Sequence, residues 1–134
     1  MIIKSLSSIT GFKAGDSSFL RELLHPDKER LDIGYSLAHA LVKPGQKTLP
    51  HRLKSAEVYY VLEGRGLMHI DAERAEVEPG QAVYVPPRAV QFIENTGPND
   101  LEFLCIVDPT WRAEDEDVLP GMLPGQVHSS GKKP

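Results

Sequence analysis

Gly45-Gln46-Lys47-Thr48-Leu49-Pro50-His51-Arg52-Leu53-Lys54-Ser55-Ala56-Glu57 runs on through Val58-Tyr59-Tyr60-Val61-Leu62-Glu63 and stops at Gly64-Arg65-Gly66. A Pro44-Gly45 turn opens the stretch, β-branched and aromatic residues fill 57–62, and the glycines close it as a second turn. Residues two apart on a strand share a face, so His51 and Leu53 point one way, while Glu57, Tyr59 and Val61 share another. Gly64 and Gly66 lack the setting of a phosphate-binding loop and read as a turn alone.

Outward from this stretch, turns continue to cut the chain into short β-type segments. Ile33 to Val42 precedes it, and Ser17 to Leu24, further upstream, is the best helix candidate, although its Leu20, Leu23 and Leu24 cover barely two turns. Leu67 to Ile70, Ala82 to Val85, Val90 to Ile93 and Leu101 to Val107 follow downstream. Asp71 to Glu76 reads as a polar hairpin connection. Short strands with Gly/Pro turns at intervals of about 8–12 residues predict an all-β sandwich or barrel.

At 134 residues the chain is long enough for one domain and one core. The expected barrel domain is 1–112, centred on 35–107, followed by a tail at 113–134 that is acidic (Glu114-Asp115-Glu116-Asp117) and then Gly/Pro/Ser-rich. A net charge of −4 and scattered basic residues argue against a nucleic-acid or anionic-membrane surface. Cys105 is the one cysteine, so no intrachain disulfide forms; its apolar surroundings predict a buried side chain, not a nucleophile. The first residues lack a signal-peptide core, and no run nears the ~20 apolar residues of a membrane-spanning helix. The expected location is the cytoplasm.

Gly45, His51, Glu57 and Gly64 are spaced as in the first motif of the cupins, and Gly80, Pro86, Gln91 and Asn95 resemble the second. The chain thus resembles a small single-domain cupin over residues 35–107, which implies a jelly-roll barrel (double-stranded β-helix) of antiparallel strands. In that family three histidines and a glutamate hold a divalent metal. Here Leu53 stands at one histidine position, Gln91 at another, and Arg88 replaces a turn glycine. The resemblance leaves His51, Glu57 and Gln91 as metal ligands, suited to iron, manganese, nickel, copper or zinc, or a relict site holding no metal. His39 or His25 could supply the missing imidazole from a neighbouring segment. Leu53, Tyr59, Met68, Tyr84, Arg88 and His39 are the further candidates for lining a substrate cavity. His69 is expected to face away from it, and His128 lies in the tail.

The resemblance implies a small-molecule ligand and a homodimer, with Met1 to Thr10 available for strand exchange. Fold alone does not decide activity here. A metal-dependent enzyme on a small organic substrate stands first, and a metal-free ligand-binding or regulatory cupin is the alternative. The tract 59–68 also looks like sugar-phosphate isomerase cupins. That third reading ranks lower, because Leu53 removes one of their histidines and no basic cluster suits a phosphate.

Overall fold

The computed structural model describes residues 1–120, and within them eleven strands build two antiparallel sheets. One sheet contains β1 (Phe12–Lys13), β2 (Phe19–Leu24), β3 (Ser36–Val42), β10 (Leu101–Asp108), β5 (Ala56–Glu63) and β8 (Ala82–Val85), in that spatial order. The other contains β11 (Glu116–Val118), β4 (His51–Leu53), β9 (Gln91–Asn95), β6 (Gly66–Ile70) and β7 (Glu73–Val77). Strands distant in sequence lie side by side, notably β3 with β10 and β4 with β11. The all-β jelly-roll barrel expected from the sequence is the observed architecture.

Period-two burial explains how the sheets meet. Along β10, Leu101, Phe103, Cys105 and Val107 are buried, whereas Glu102, Leu104 and Ile106 are only partly covered. On β5, Glu57, Tyr59 and Val61 are the buried set. Val61, Ile93 and Leu101 are fully enclosed, and Met68, Val85 and Phe103 pack around them. Transfer of such side chains from water, at about 1.5–3 kcal/mol each, is the main force holding the two faces together.

Turn chemistry sets the strand ends. Gly64 has φ +85°, and a Cβ there would come within 2.5 Å of the Asp100 carbonyl oxygen, so the turn after β5 needs glycine twice over. Asn95 donates from Nδ2 to the carbonyls of Val42 and Asn99 and accepts from the Gly97 N–H, closing the turn after β9. Arg88 has φ +69°, a left-handed backbone conformation that glycine would adopt at lower cost.

Two expectations change. Residues 113–118 are not the start of a loose tail: after a short 3-10 turn, Glu116–Val118 pair with β4. An acidic run can do this on a sheet edge, where its outer side chains stay in water. For the same reason residues 73–76 are strand, not hairpin connection, since all of them are exposed on edge strand β7. Met1 to Thr10 form no strand within this chain; they hold only a 3-10 turn at Leu6–Ser8. Among the described residues no helix is long and apolar enough to cross a membrane. His128 and the rest of 121–134 lie outside the described residues.

Candidate functional site

A cavity of about 110 Å³ opens inside the barrel, walled by β3, β5 and β10 and by residues from both ends of the described chain. His51, Leu53, Glu57 and Tyr59 line it. His51 is 2% exposed; its Nδ1 lies 3.0 Å from the Leu49 carbonyl, so that nitrogen donates and Nε2 faces the cavity. Glu57 is 6% exposed, and its Oε1 has no hydrogen-bond partner.

Two further carboxylates close on His51. Asp16 sits in the turn before β2, where its Oδ1 accepts from the Ser18 N–H (3.0 Å) and hydroxyl (2.7 Å). The Leu49 N–H donates to the Asp16 carbonyl at 2.7 Å and ties this turn to the start of β4. Asp16 Oδ2 then lies 3.9 Å from His51 Nε2. Glu116, opposite Leu53 in the β11–β4 register, brings Oε2 to 4.0 Å from the same nitrogen. Both separations exceed a hydrogen bond. His51 therefore faces two carboxylates across a gap.

Trp111 completes the mouth. Its carbonyl accepts from His25 Nε2 at 2.7 Å, while the Asp27 N–H donates to His25 Nδ1 at 3.1 Å. His25 is thus a buried clamp on the segment after β10 and does not line the cavity.

The charges are strongly coupled. Burial pushes the Glu57 carboxyl up to about 7, with His51 working against the rise and Asp16 adding to it. Burial disfavours charge on His51, yet Asp16, Glu57, the Leu49 carbonyl and Glu116 outweigh it and raise its pKa. Glu116 is also raised, by burial first and Asp16 next. Burial, with Glu57 and Asp16, keeps the Cys105 thiol protonated and unreactive, and that thiol hydrogen-bonds Glu57. A carboxyl that titrates near neutrality inside a cavity can both accept and return a proton.

Several predicted residues lie elsewhere. Gln91 pairs with His51 in the strand register, but its Oε1 accepts from the Tyr59 hydroxyl at 2.5 Å and the residue does not line the cavity. Met68 belongs to the hydrophobic core. Tyr84 is 63% exposed on edge strand β8, because its face of the strand points out of the barrel. Arg88 is exposed at its turn and its N–H donates to the Leu53 carbonyl. His39 points away from the cavity-lining Ala38 and Ala40 and pairs with Glu102 at 2.9 Å. His69 is likewise off the cavity, 2.7 Å from Glu94 and stacked on Phe92. Neither His39 nor His25 repairs the ligand set.

The expected metal triad consequently does not assemble. Leu53 offers no donor, and Gln91 spends its carbonyl oxygen on Tyr59. Among the described residues no group of His, Cys, Asp and Glu side chains is placed to hold a metal ion. Asp16, Glu116 and Trp111 were missed by sequence reasoning. The one available signal was the apolar Val118 two residues after Glu116, a strand alternation hidden inside an acidic run.

Residues 38–107 match the family model described as the cupin domain. An uncharacterised protein of Methanocaldococcus jannaschii is 46% identical over 105 residues, covering 78% of this chain and 83% of that one. The glucose-6-phosphate isomerase of Thermococcus kodakarensis is 32% identical over 99 residues, covering 70% of this chain but only 48% of the isomerase, so the match spans about half that enzyme. A solved structure from Thermotoga maritima, described as a predicted oxalate decarboxylase, superposes with TM-score 0.72 at 23% identity over 81% of this chain and 99% of that one, a likeness of fold.

Proposed function

We infer that this chain, which belongs to the cupin family, is an enzyme that binds a small organic molecule in its barrel cavity and moves a proton on it, with Glu57 as the proton-transfer group. The observation that carries this reading is the buried Glu57 carboxyl, whose Oε1 is unpartnered and which titrates at about 7. A group with pKa near the working pH is the most effective general acid–base catalyst. His51 lies across the same cavity, with Nδ1 fixed by the Leu49 carbonyl, and can donate from Nε2 to an oxygen that gains charge as the proton leaves carbon. Tyr59 and Phe103, stacked at 5.0 Å, and Leu53 supply the apolar wall that excludes water.

Iron, manganese, nickel, copper or zinc enters no step of this reading, because the side chains present do not form the family's ligand set. Sugar-phosphate isomerisation fits poorly as well: Asp16, Glu57 and Glu116 would repel a phosphate, and Lys28, the lysine lining the cavity, is 2.6 Å from Glu22. The second reading is a ligand-binding protein without turnover. The elevated Glu57 pKa favours chemistry over that reading, since binding alone has no use for a group poised to exchange its proton.

The test is solvent-deuterium incorporation next to the carbonyl of small aldehydes, ketones and aldoses, charged and uncharged alike, followed by NMR. Wild type should catalyse exchange on at least one of them. Glu57→Gln should lose on the order of 100-fold or more of that rate. Binding without exchange on any compound would replace the enzyme reading by the second one.

A further inference from the structure

We propose that the cavity selects a small organic cation, a primary amine carried as ammonium on a short apolar body. The inference rests on the reading above in one respect only, that the cavity is the ligand site; it adds the chemical class of the ligand.

The first observation is an imbalance of charge. Asp16, Glu22, Glu57 and Glu116 line the cavity, against Lys28 and His51. Lys28 is tied to Glu22 at 2.6 Å, so that pair cancels. His51 can balance one carboxylate, and it stands 3.9 and 4.0 Å from two of them without a hydrogen bond to either. The remainder has no counter-charge among the described residues that line the cavity. Uncompensated carboxylates in a partly buried site are costly, and a ligand cation relieves that cost when it binds.

The second observation is independent of the count. Glu57 Oε1, on a cavity-lining residue more than nine-tenths buried, meets no donor. A missing donor there calls for a ligand N–H or O–H. An ammonium group carries three donors and no acceptor, so it complements a site whose unmet polar groups are acceptors. A carboxylate or phosphate ligand would add acceptors to acceptors. Among the described residues no group of three His, Cys, Asp or Glu side chains is placed to hold a bare metal ion.

The third observation is the wall. Phe103, Tyr59, Leu53 and Trp111 surround the acidic groups with apolar and aromatic surface. Aromatic faces attract cations and bury methylenes, and carboxylates among aromatic rings together suit an alkylammonium better than a sugar. Asp16 and Glu116, with side chains 16% and 13% exposed, are more accessible than Glu57, which is 6% exposed.

Trp111 is the protein's sole tryptophan and lines this cavity, which makes its fluorescence a local reporter. The experiment titrates the full chain with n-butylammonium chloride, sodium butyrate, n-butanol and manganese(II) chloride, each alone, at constant ionic strength. Butylammonium should give a saturable change in Trp111 emission, and the other probes should need at least tenfold higher concentration. Glu116→Gln and Asp16→Asn should each weaken butylammonium binding at least tenfold, with circular dichroism confirming that the fold is kept. Should either variant fail to fold, the other variant and the probe series in wild type still decide. Equal or tighter binding of butyrate or butanol would overturn the cationic ligand while leaving the cavity reading intact. Saturation by manganese alone would assign the site to a metal ion instead. No saturable response to any probe would remove both the ligand class and the cavity reading.

Discussion

The barrel treats histidine in two ways. Away from the cavity, the buried His39 lies 2.9 Å from Glu102 and the buried His69 lies 2.7 Å from Glu94, each a direct contact between neighbouring strands. In the cavity, His51 faces Asp16 and Glu116 at 3.9 and 4.0 Å and touches neither. The partners outside come from adjacent strands in fixed register, β10 beside β3 and β9 beside β6. The partners inside come from a turn near the N-terminus and from the last strand. Outer pairs are closed and therefore structural; the inner group is held open around a space, and an open arrangement of charges is what a ligand can complete.

The largest way to break this comparison is through Glu57. Its pKa rises from an ordinary 4.5 to about 7 in the folded state. Below pH 4.5 both folded and unfolded chains hold the proton, and no penalty exists. Between those values the folded state keeps a proton that the unfolded chain has released, so stability falls as pH rises. Above 7 the penalty is complete, roughly 3 kcal/mol. His51, also raised, acts in the same direction: its protonated form is stabilised, and that contribution is lost as pH passes through its folded value. Urea unfolding at pH 5 and pH 8 should therefore show Glu57→Gln losing about 2.5 kcal/mol less than wild type across this interval, since part of the penalty is already present at pH 5. An unchanged pH dependence would mean that Glu57 is not held charged in an unfavourable place.

Next in size is a change that sharpens the contrast by closing the inner group. The double substitution Leu53→His, Gln91→His restores imidazoles at both altered family positions beside His51 and Glu57. Zinc or manganese at about 100 times its dissociation constant should then stabilise the variant by about 2.7 kcal/mol, read as a rise in melting temperature. Wild type should show no such shift. A metal-dependent rise in wild type equal to that of the variant would reverse the conclusion that its ligand set is incomplete.

The smallest effect belongs to the outer pairs. Glu94→Gln keeps a hydrogen-bond acceptor for His69 but removes its charge, and should cost about 1 kcal/mol or less, because Glu94 is partly solvent-exposed. It should leave the Trp111 fluorescence titration unchanged. A shifted titration would show that the two kinds of histidine site are coupled after all.

Local spacing made the barrel legible. The Pro44-Gly45 turn, the 57–62 strand and the Gly64 turn are consequences of backbone preference and period-two patterning, which act over a few residues and can be read in order. Strand alternation stated which side chains share a face, His51 with Leu53 and Glu57 with Tyr59, while their meeting in one cavity followed from the family resemblance. It failed for Tyr84 and for Gln91. Alternation cannot say which face of an edge strand is covered, nor that Tyr59 will claim the Gln91 carbonyl oxygen by hydrogen bonding across the barrel.

The sequence could not place Asp16 or Glu116 beside His51. Nothing local to the Asp16-Ser17-Ser18 turn or to the acidic run 114–117 says that either will meet His51. Long-range pairing decided it: the Leu49 N–H bond to the Asp16 carbonyl on one side, and the β11–β4 ladder on the other. The sequence by itself determined the barrel and half of its cavity, through short-range backbone and burial rules. Only the tertiary structure decided the charge of that cavity, because charge at a point is a sum over whatever residues folding brings near it, however far apart they lie along the chain.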